Sequence, residues 1–174
     1  NNILGQMTLG SDGIYSYSFT NKDQAAEIEF REKVNSEVSI DNYLNVLSRH
    51  HSILVMNKEV QLFLDNIPQG GAVIDVGGCW GWHWRNISHF RPDIRIYIVD
   101  FIRSNLAYAK NILKDAINKN IFLIHGDATS LSFKDNSFDG YWSVQTLQHI
   151  PDYNSAIDEA YRILKPNGFF VIIR

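Results

Sequence analysis

Val73-Ile74-Asp75-Val76-Gly77-Gly78-Cys79-Trp80-Gly81 is the stretch whose reading decides the fold. Its first four residues are mostly β-branched and read as a short buried strand, which stops at a glycine pair. The residues that follow, Trp80 to Phe90, suit a short helix that Arg91-Pro92-Asp93 brings to an end. In a strand–glycine–helix unit a ligand can approach the backbone closely, and the helix N-terminus offers free N–H groups.

Working outward, the same alternation repeats. Ile94–Val99, Ile121–Ile124, Phe138–Val144 and Phe169–Ile173 are further apolar runs, the last entered through the turn Lys165-Pro166-Asn167-Gly168. Nearly continuous apolar runs suit parallel strands covered on both faces. Between them, Leu106, Ala109, Ile112, Leu113, Ala116 and Ile117 share one helical face, with Ser104 placed to cap it. Ala156, Ile157, Ala160, Ile163 and Leu164 do the same behind Pro151-Asp152, and Pro166 stops that helix. Alternating strands and helices predict an α/β, Rossmann-like, doubly wound and mostly parallel sheet with helices on both faces.

The first third differs. Helices are expected over 25–37 and 40–67, the second broken near Arg49–Ser52, with Val60, Phe63, Leu64 and Ile67 as its clearest apolar stripe. Residues 1–20 are rich in Gly, Ser and Asn, with Tyr15, Tyr17 and Phe19 alternating. They read as a flexible arm, with an edge strand or an aromatic lid as alternatives. The expected organisation is this arm followed by one domain over 21–174, made of a helical cap (21–67) and a core (72–174).

The 174 residues suffice for one compact domain, and 45% hydrophobic with 20% charged residues is a globular composition. No run approaches the roughly 18 apolar residues of a membrane span, and no signal-peptide pattern is present. The single cysteine, Cys79, excludes an internal disulfide framework and fits a reducing cytoplasm. A net charge of −3 without a Lys/Arg cluster argues against a nucleic-acid partner.

Glycine spacing narrows the ligand. A dinucleotide-type G-x-G-x-x-G loop beginning at Gly77 would need glycines where Cys79 and Trp82 stand. The loop instead resembles the D-x-G-x-G-x-G signature of class I S-adenosylmethionine-dependent methyltransferases, with Asp75, Gly77 and Gly81 matching. The resemblance continues in order from Val73 to Ile173: Asp100 closes the second strand, Gly126-Asp127-Ala128 follows the third, Phe138-Asp139 opens the fourth, and Leu164-Lys165-Pro166-Asn167-Gly168 resembles the "LKPGG" entry to the fifth. It is nearest to the small-molecule branch that includes ubiquinone-biosynthesis-like enzymes.

What the resemblance implies is a methyl transfer from S-adenosyl-L-methionine to a small organic acceptor. The implied cofactor residues are Asp75, Gly77, Gly78, Cys79, Trp82, Asp100, Phe101, Asp127, Ala128 and Gln145. The chemistry agrees: a ribose diol suits a carboxylate accepting two hydrogen bonds (Asp100), and an adenine amino group suits an acceptor at Asp127. A zwitterionic amino-acid end suits Asp75, loop N–H groups and the helix start. Each residue also has a plainer reading: Asp100 as a cap of the next turn, Asp127 as an Asx-turn residue, Asp75 as a brace for the loop. Of the tryptophans, Trp84 is expected to pack with Ile87 against the sheet, while Trp82 and His83 could face the ligand.

Two departures from the family pattern carry consequences. Cys79 stands where the middle glycine is usual; a positive φ there would cost about 1 kcal/mol or more. The chain also ends at Arg174, before the helix and two strands that usually follow the fifth strand. A bare hydrophobic edge at Phe169–Ile173 is rarely tolerated. Truncation, a homodimer through that strand, or cover by the N-terminal segment are the alternatives.

In-line methyl transfer needs alignment and exclusion of water more than it needs a base. His149, after the fourth strand, is the candidate acceptor-side base; its plainer reading is a cap or packing under Tyr153. No metal site is expected, and His50-His51 read as surface imidazoles. Two other functions remain open at this stage: a non-catalytic binding or assembly module that keeps the fold, and an NAD-dependent oxidoreductase.

Overall fold

The computed structural model describes residues 3–19, 25–37, 42, 45 and 53–173. The expected helix break near Arg49–Ser52 and the pair His50-His51 lie outside these residues.

Seven strands form one sheet: β1 (Thr8–Leu9), β2 (Tyr15–Ser16), β3 (Ala72–Val76), β4 (Arg95–Asp100), β5 (Ile121–His125), β6 (Phe138–Val144) and β7 (Leu164–Ile173). Their order is β1-β2-β5-β4-β3-β6-β7, parallel throughout except for the β1–β2 hairpin. From β3 the chain winds outward through β4 to β5, then returns to pair β6 on the other side of β3. The order therefore reverses between β3 and β6, and a crevice opens at their C-terminal ends.

Period-two alternation sorts each strand between two cores. Val73, Ile96, Ile98, Leu123 and Trp142 point to one face, where α2 (Ile53–Leu64), the single-turn α3 (Ile87–Phe90) and α4 (Arg103–Leu113) cover them. Ile74, Val76, Tyr97, Val99 and Tyr141 point to the other, covered by α5 (Tyr153–Ile163), Leu131 and Phe133. The stripe Val60, Phe63, Leu64 and Ile67 is buried as expected, with Phe63 edge-on to Trp142 at 5.0 Å. At α5, Asp152 caps the first turn by accepting from Ser155 N at 3.1 Å.

Four local expectations are corrected. The stretch Trp80–Phe90 is not one helix: a three-residue 3-10 turn at Trp82–Trp84 precedes α3, and Asn86 separates them. Ser104 does not cap α4; Ile102 holds that position, its N–H satisfied by Asp100, while Ser104 Oγ accepts from Asn35. Lys165 to Gly168 are a bulge rather than a turn before the strand, since Leu164 pairs with Phe138 and Phe169 with Gly140. Finally, residues 3–19 take the edge-strand alternative instead of a loose arm. Ile14 is buried in the core beside α4, and Asp12 pairs with Arg103 at 2.7 Å and accepts from Lys110. This hairpin lies beside β5, at the far edge from β7, so it does not cover Phe169–Ile173.

Candidate functional site

The loop after β3 is shaped by what lies against it. Gly77 has φ 73°, and a Cβ there would meet Thr146 Cβ at 2.7 Å, so both its conformation and its contact demand glycine. A Cβ on Gly78 would run into the Asp75 carboxyl carbon at 2.7 Å. The loop thus folds directly over Asp75. Cys79 adopts φ 50°, the left-handed conformation anticipated for a position that is usually glycine. Its N–H donates to Asp100 Oδ2 at 2.9 Å, which fixes the loop to the end of β4.

Asp75 is 1% exposed and accepts from Trp84 Nε1 at 2.6 Å. Burial pushes its carboxyl up to about 7, the indole bond opposing and the neighbouring Asp100 charge adding to the rise. The tight 3-10 turn is what turns the Trp84 indole down onto the carboxylate, while the ring packs edge-on against Phe63 and Trp142. Trp84 is therefore both the core residue expected and a polar partner that was not. In place of a long helix start, the site has this short turn.

Asp100 is also buried, and burial raises its carboxyl pKa. Its Oδ1 accepts from Ile102 N at 2.8 Å and Asn105 Nδ2 at 3.1 Å, and its Oδ2 from Cys79 N. A carboxylate offers about four acceptor positions, and three are filled within the chain. Among the described residues one acceptor on Oδ2 is left, where the sequence argument expected two for a ligand diol. Asp100 thus serves the turn and keeps one acceptor open.

Asp127 follows β5 and is buried, with Oδ1 accepting from Thr129 N at 2.8 Å and Thr129 Oγ1 at 2.9 Å. This is the Asx turn of the plainer reading, made with one carboxylate oxygen. Ala128 and Phe101 are half-buried beside it, and His125 Nε2 lies 3.1 Å from the Phe101 carbonyl. Gln145, at the end of β6, has φ 51° and donates its N–H to Ile173 O at 2.7 Å. Trp82 is half-buried with the Arg85 guanidinium 4.3 Å over its ring, so one of its faces is already covered. His83 stands edge-on to Trp142 at 5.6 Å.

α1 (Ala25–Glu37) touches the turn after β6 with its first residues and α4 with its last. Near its start Glu27 Oε1 lies 3.7 Å from Nδ1 of His149, which is exposed in the turn after β6, and 2.8 Å from Arg31. Near its end Asn35 donates to Ser104 Oγ and Asn105 Oδ1, each at 2.7 Å, and its carbonyl accepts from Tyr108 at 2.8 Å. His149 thus has Glu27 at its Nδ1 and Gln148 Nε2 3.3 Å from its Nε2. Sequence reasoning missed Glu27, Asn35 and Tyr17, because nothing in a helix pattern or an alternating aromatic says what it will face. Among the described residues no group of His, Cys, Asp and Glu could hold a metal, and no helix is long and apolar enough to cross a membrane.

Comparisons with known proteins agree with this geometry. A family model described as "Methyltransferase domain" matches residues 74–172. A demethylmenaquinone methyltransferase of Listeria welshimeri is 35% identical over 108 residues, covering 60% of this chain and 45% of the relative. One of Anoxybacillus flavithermus is 32% identical over 111 residues, covering 62% and 46%. The chain spans about half the length of these curated relatives. A crystal structure of an S-adenosyl-L-methionine-dependent methyltransferase from Methanococcus maripaludis shares the fold, with TM-score 0.65 and 22% identity over 90% of this chain and 66% of that one. The glycine loop, the two buried aspartates at the ends of adjacent strands and the family match lead to one conclusion: the chain belongs to the class I S-adenosylmethionine-dependent methyltransferases.

Proposed function

We propose that this chain transfers a methyl group from S-adenosylmethionine to a small organic acceptor, in the crevice between β3 and β6. The observation that carries the reading is the buried Asp75 carboxyl under the glycine loop, which accepts from Trp84 Nε1 and has no cation paired with it among the described residues. A buried carboxylate held at such cost suits a ligand bringing its own positive charge. Bound there, S-adenosylmethionine supplies an electrophilic methyl on a sulfonium. Asp75 would hold its ammonium, Gly77 and Gly78 would leave room for its amino-acid end beside Cys79 and Trp82, and Asp100 would accept from one ribose hydroxyl near Phe101. Asp127 and Ala128 would hold the adenine, and Gln145 would stand near the reacting end.

The chain's own residues do the rest. α1 closes the crevice against water, so that the acceptor is held in line with the methyl–sulfur bond. His149, oriented by Glu27, takes the acceptor's proton where one must leave. The relatives' name makes a hydroquinone ring the first acceptor class to try, with the acceptor small and no nucleic acid involved. Pairing of two copies through β7 and a cytoplasmic location belong to the same proposal. The test is transfer of a labelled methyl group to a panel of hydroquinones, phenols and amines. Product labelled with one class, reduced by His149→Ala with unchanged cofactor affinity, is the expected result. Tight cofactor binding with no transfer to any class would favour a binding module that keeps the fold without turnover.

A further inference from the structure

The N-terminal hairpin lies outside the matched family region, yet it reaches the loop after β5. Tyr17, one residue past β2, makes two hydrogen bonds to the backbone of a single residue: its hydroxyl donates to Asp127 O at 3.1 Å and accepts from Asp127 N at 3.1 Å. A Cβ on Gly126 would meet the tyrosine ring carbon Cζ at 2.6 Å, so the approach exists only because residue 126 is glycine. Phe19 continues the contact, edge-on to Tyr17 at 5.7 Å and to His125 at 5.1 Å. The hairpin itself is held by buried Ile14 and by Asp12 against Arg103, so Tyr17 is presented from a fixed base. The same loop is held by α5, where Glu159 accepts from Leu131 N at 2.6 Å and Arg162 donates to Leu131 O at 2.8 Å.

The consequence follows from peptide geometry. The carbonyl of Asp127 and the N–H of Ala128 belong to one trans peptide, in which the two groups point in opposite directions. By drawing the Asp127 carbonyl toward itself, Tyr17 turns the Ala128 N–H away from the tyrosine ring. The Asx turn uses Asp127 Oδ1, and Oδ2 takes no part in it. A donor and an acceptor side by side match the N1 and amino edge of adenine. The deaminated base has those roles reversed, with a ring N–H and a carbonyl.

We propose that Tyr17 is a positioning residue that sets the purine specificity of the site, by fixing the peptide that presents the Ala128 N–H beside the Asp127 carboxylate. This rests on the cofactor reading above. The test is calorimetry on the full chain with S-adenosylhomocysteine and its deaminated analogue S-inosylhomocysteine, for wild type, Tyr17→Phe and Gly126→Ala. Wild type is expected to prefer the adenine ligand. Tyr17→Phe keeps the ring but loses both bonds, and is expected to weaken the adenine ligand about tenfold while changing the analogue less than threefold. Gly126→Ala, which displaces the ring, should collapse the same preference. The ratio is the readout, because a general loss of folding lowers both affinities together. A preference kept within twofold of wild type in Tyr17→Phe overturns the role of Tyr17. Wild type that binds neither ligand overturns the cofactor reading, and the role of Tyr17 with it.

Discussion

Replacing Asp75 by Asn exposes what the site costs the fold. The carboxyl is 1% exposed, and its pKa stands near 7 against an ordinary 3.8. A gap of about three units corresponds to about 4 kcal/mol of differential interaction. The sign follows from proton uptake: the folded chain holds this proton more tightly than the unfolded chain does. The contribution is therefore most favourable below pH 4, is lost as pH rises from 4 toward 7, and is flat above. About 3 kcal/mol of that loss falls between pH 5 and pH 8. Asparagine keeps the size and an oxygen to accept from Trp84 Nε1, but it cannot ionise. Urea unfolding should find the variant more stable than wild type by about 1 kcal/mol at pH 5 and by about 4 kcal/mol at pH 8. His125 titrates in both proteins and cancels in the difference, whereas Asp100 is coupled to Asp75 and loses a neighbouring negative charge in the variant. In the same samples, affinity for S-adenosylhomocysteine should fall at least tenfold. A stability difference that does not change between pH 5 and pH 8 would refute the idea that an ionised, buried Asp75 is maintained at a folding cost.

Trp84→Phe removes the indole hydrogen bond to Asp75 and leaves a gap between Phe63 and Trp142; a loss of about 3 kcal/mol in urea unfolding at pH 8 is expected. Gly77→Ala must strain φ 73° and displace Thr146, so calorimetry should find cofactor affinity reduced at least tenfold. Cys79→Gly relieves the left-handed conformation at φ 50° but frees the unfolded chain, so unfolding should change by less than about 1 kcal/mol. Cofactor affinity should hold or improve in that variant.

The sheet was legible because its strands carry near-continuous apolar runs and its turns carry glycine and proline. Ala25–Glu37 and Phe138–Val144 fall where the pattern puts them. The positions of Asp75, Asp100 and Asp127, at or just past the ends of β3, β4 and β5, were legible too, since strand boundaries follow the apolar runs. What the pattern could not reveal was tertiary. The 3-10 turn at Trp82–Trp84 answers to the Asp75 carboxylate, a partner nine residues away. Asp100 spends three acceptors inside the chain because a cap, an asparagine and a loop N–H all reach it. Tyr17 finds Asp127 across 110 residues of sequence, and no local propensity encodes that contact.

Calorimetric titration of the chain with S-adenosylmethionine and S-adenosylhomocysteine, with NADH as control and Asp100→Ala alongside, tests the central claim most directly. Micromolar binding of both sulfur ligands, none of NADH, and a loss of at least tenfold in the variant are the results expected of a cofactor held by the open acceptor on Asp100. Well-folded wild type that binds neither sulfur ligand, or binds them as tightly without the Asp100 carboxylate, would contradict the assignment of this crevice as the cofactor site.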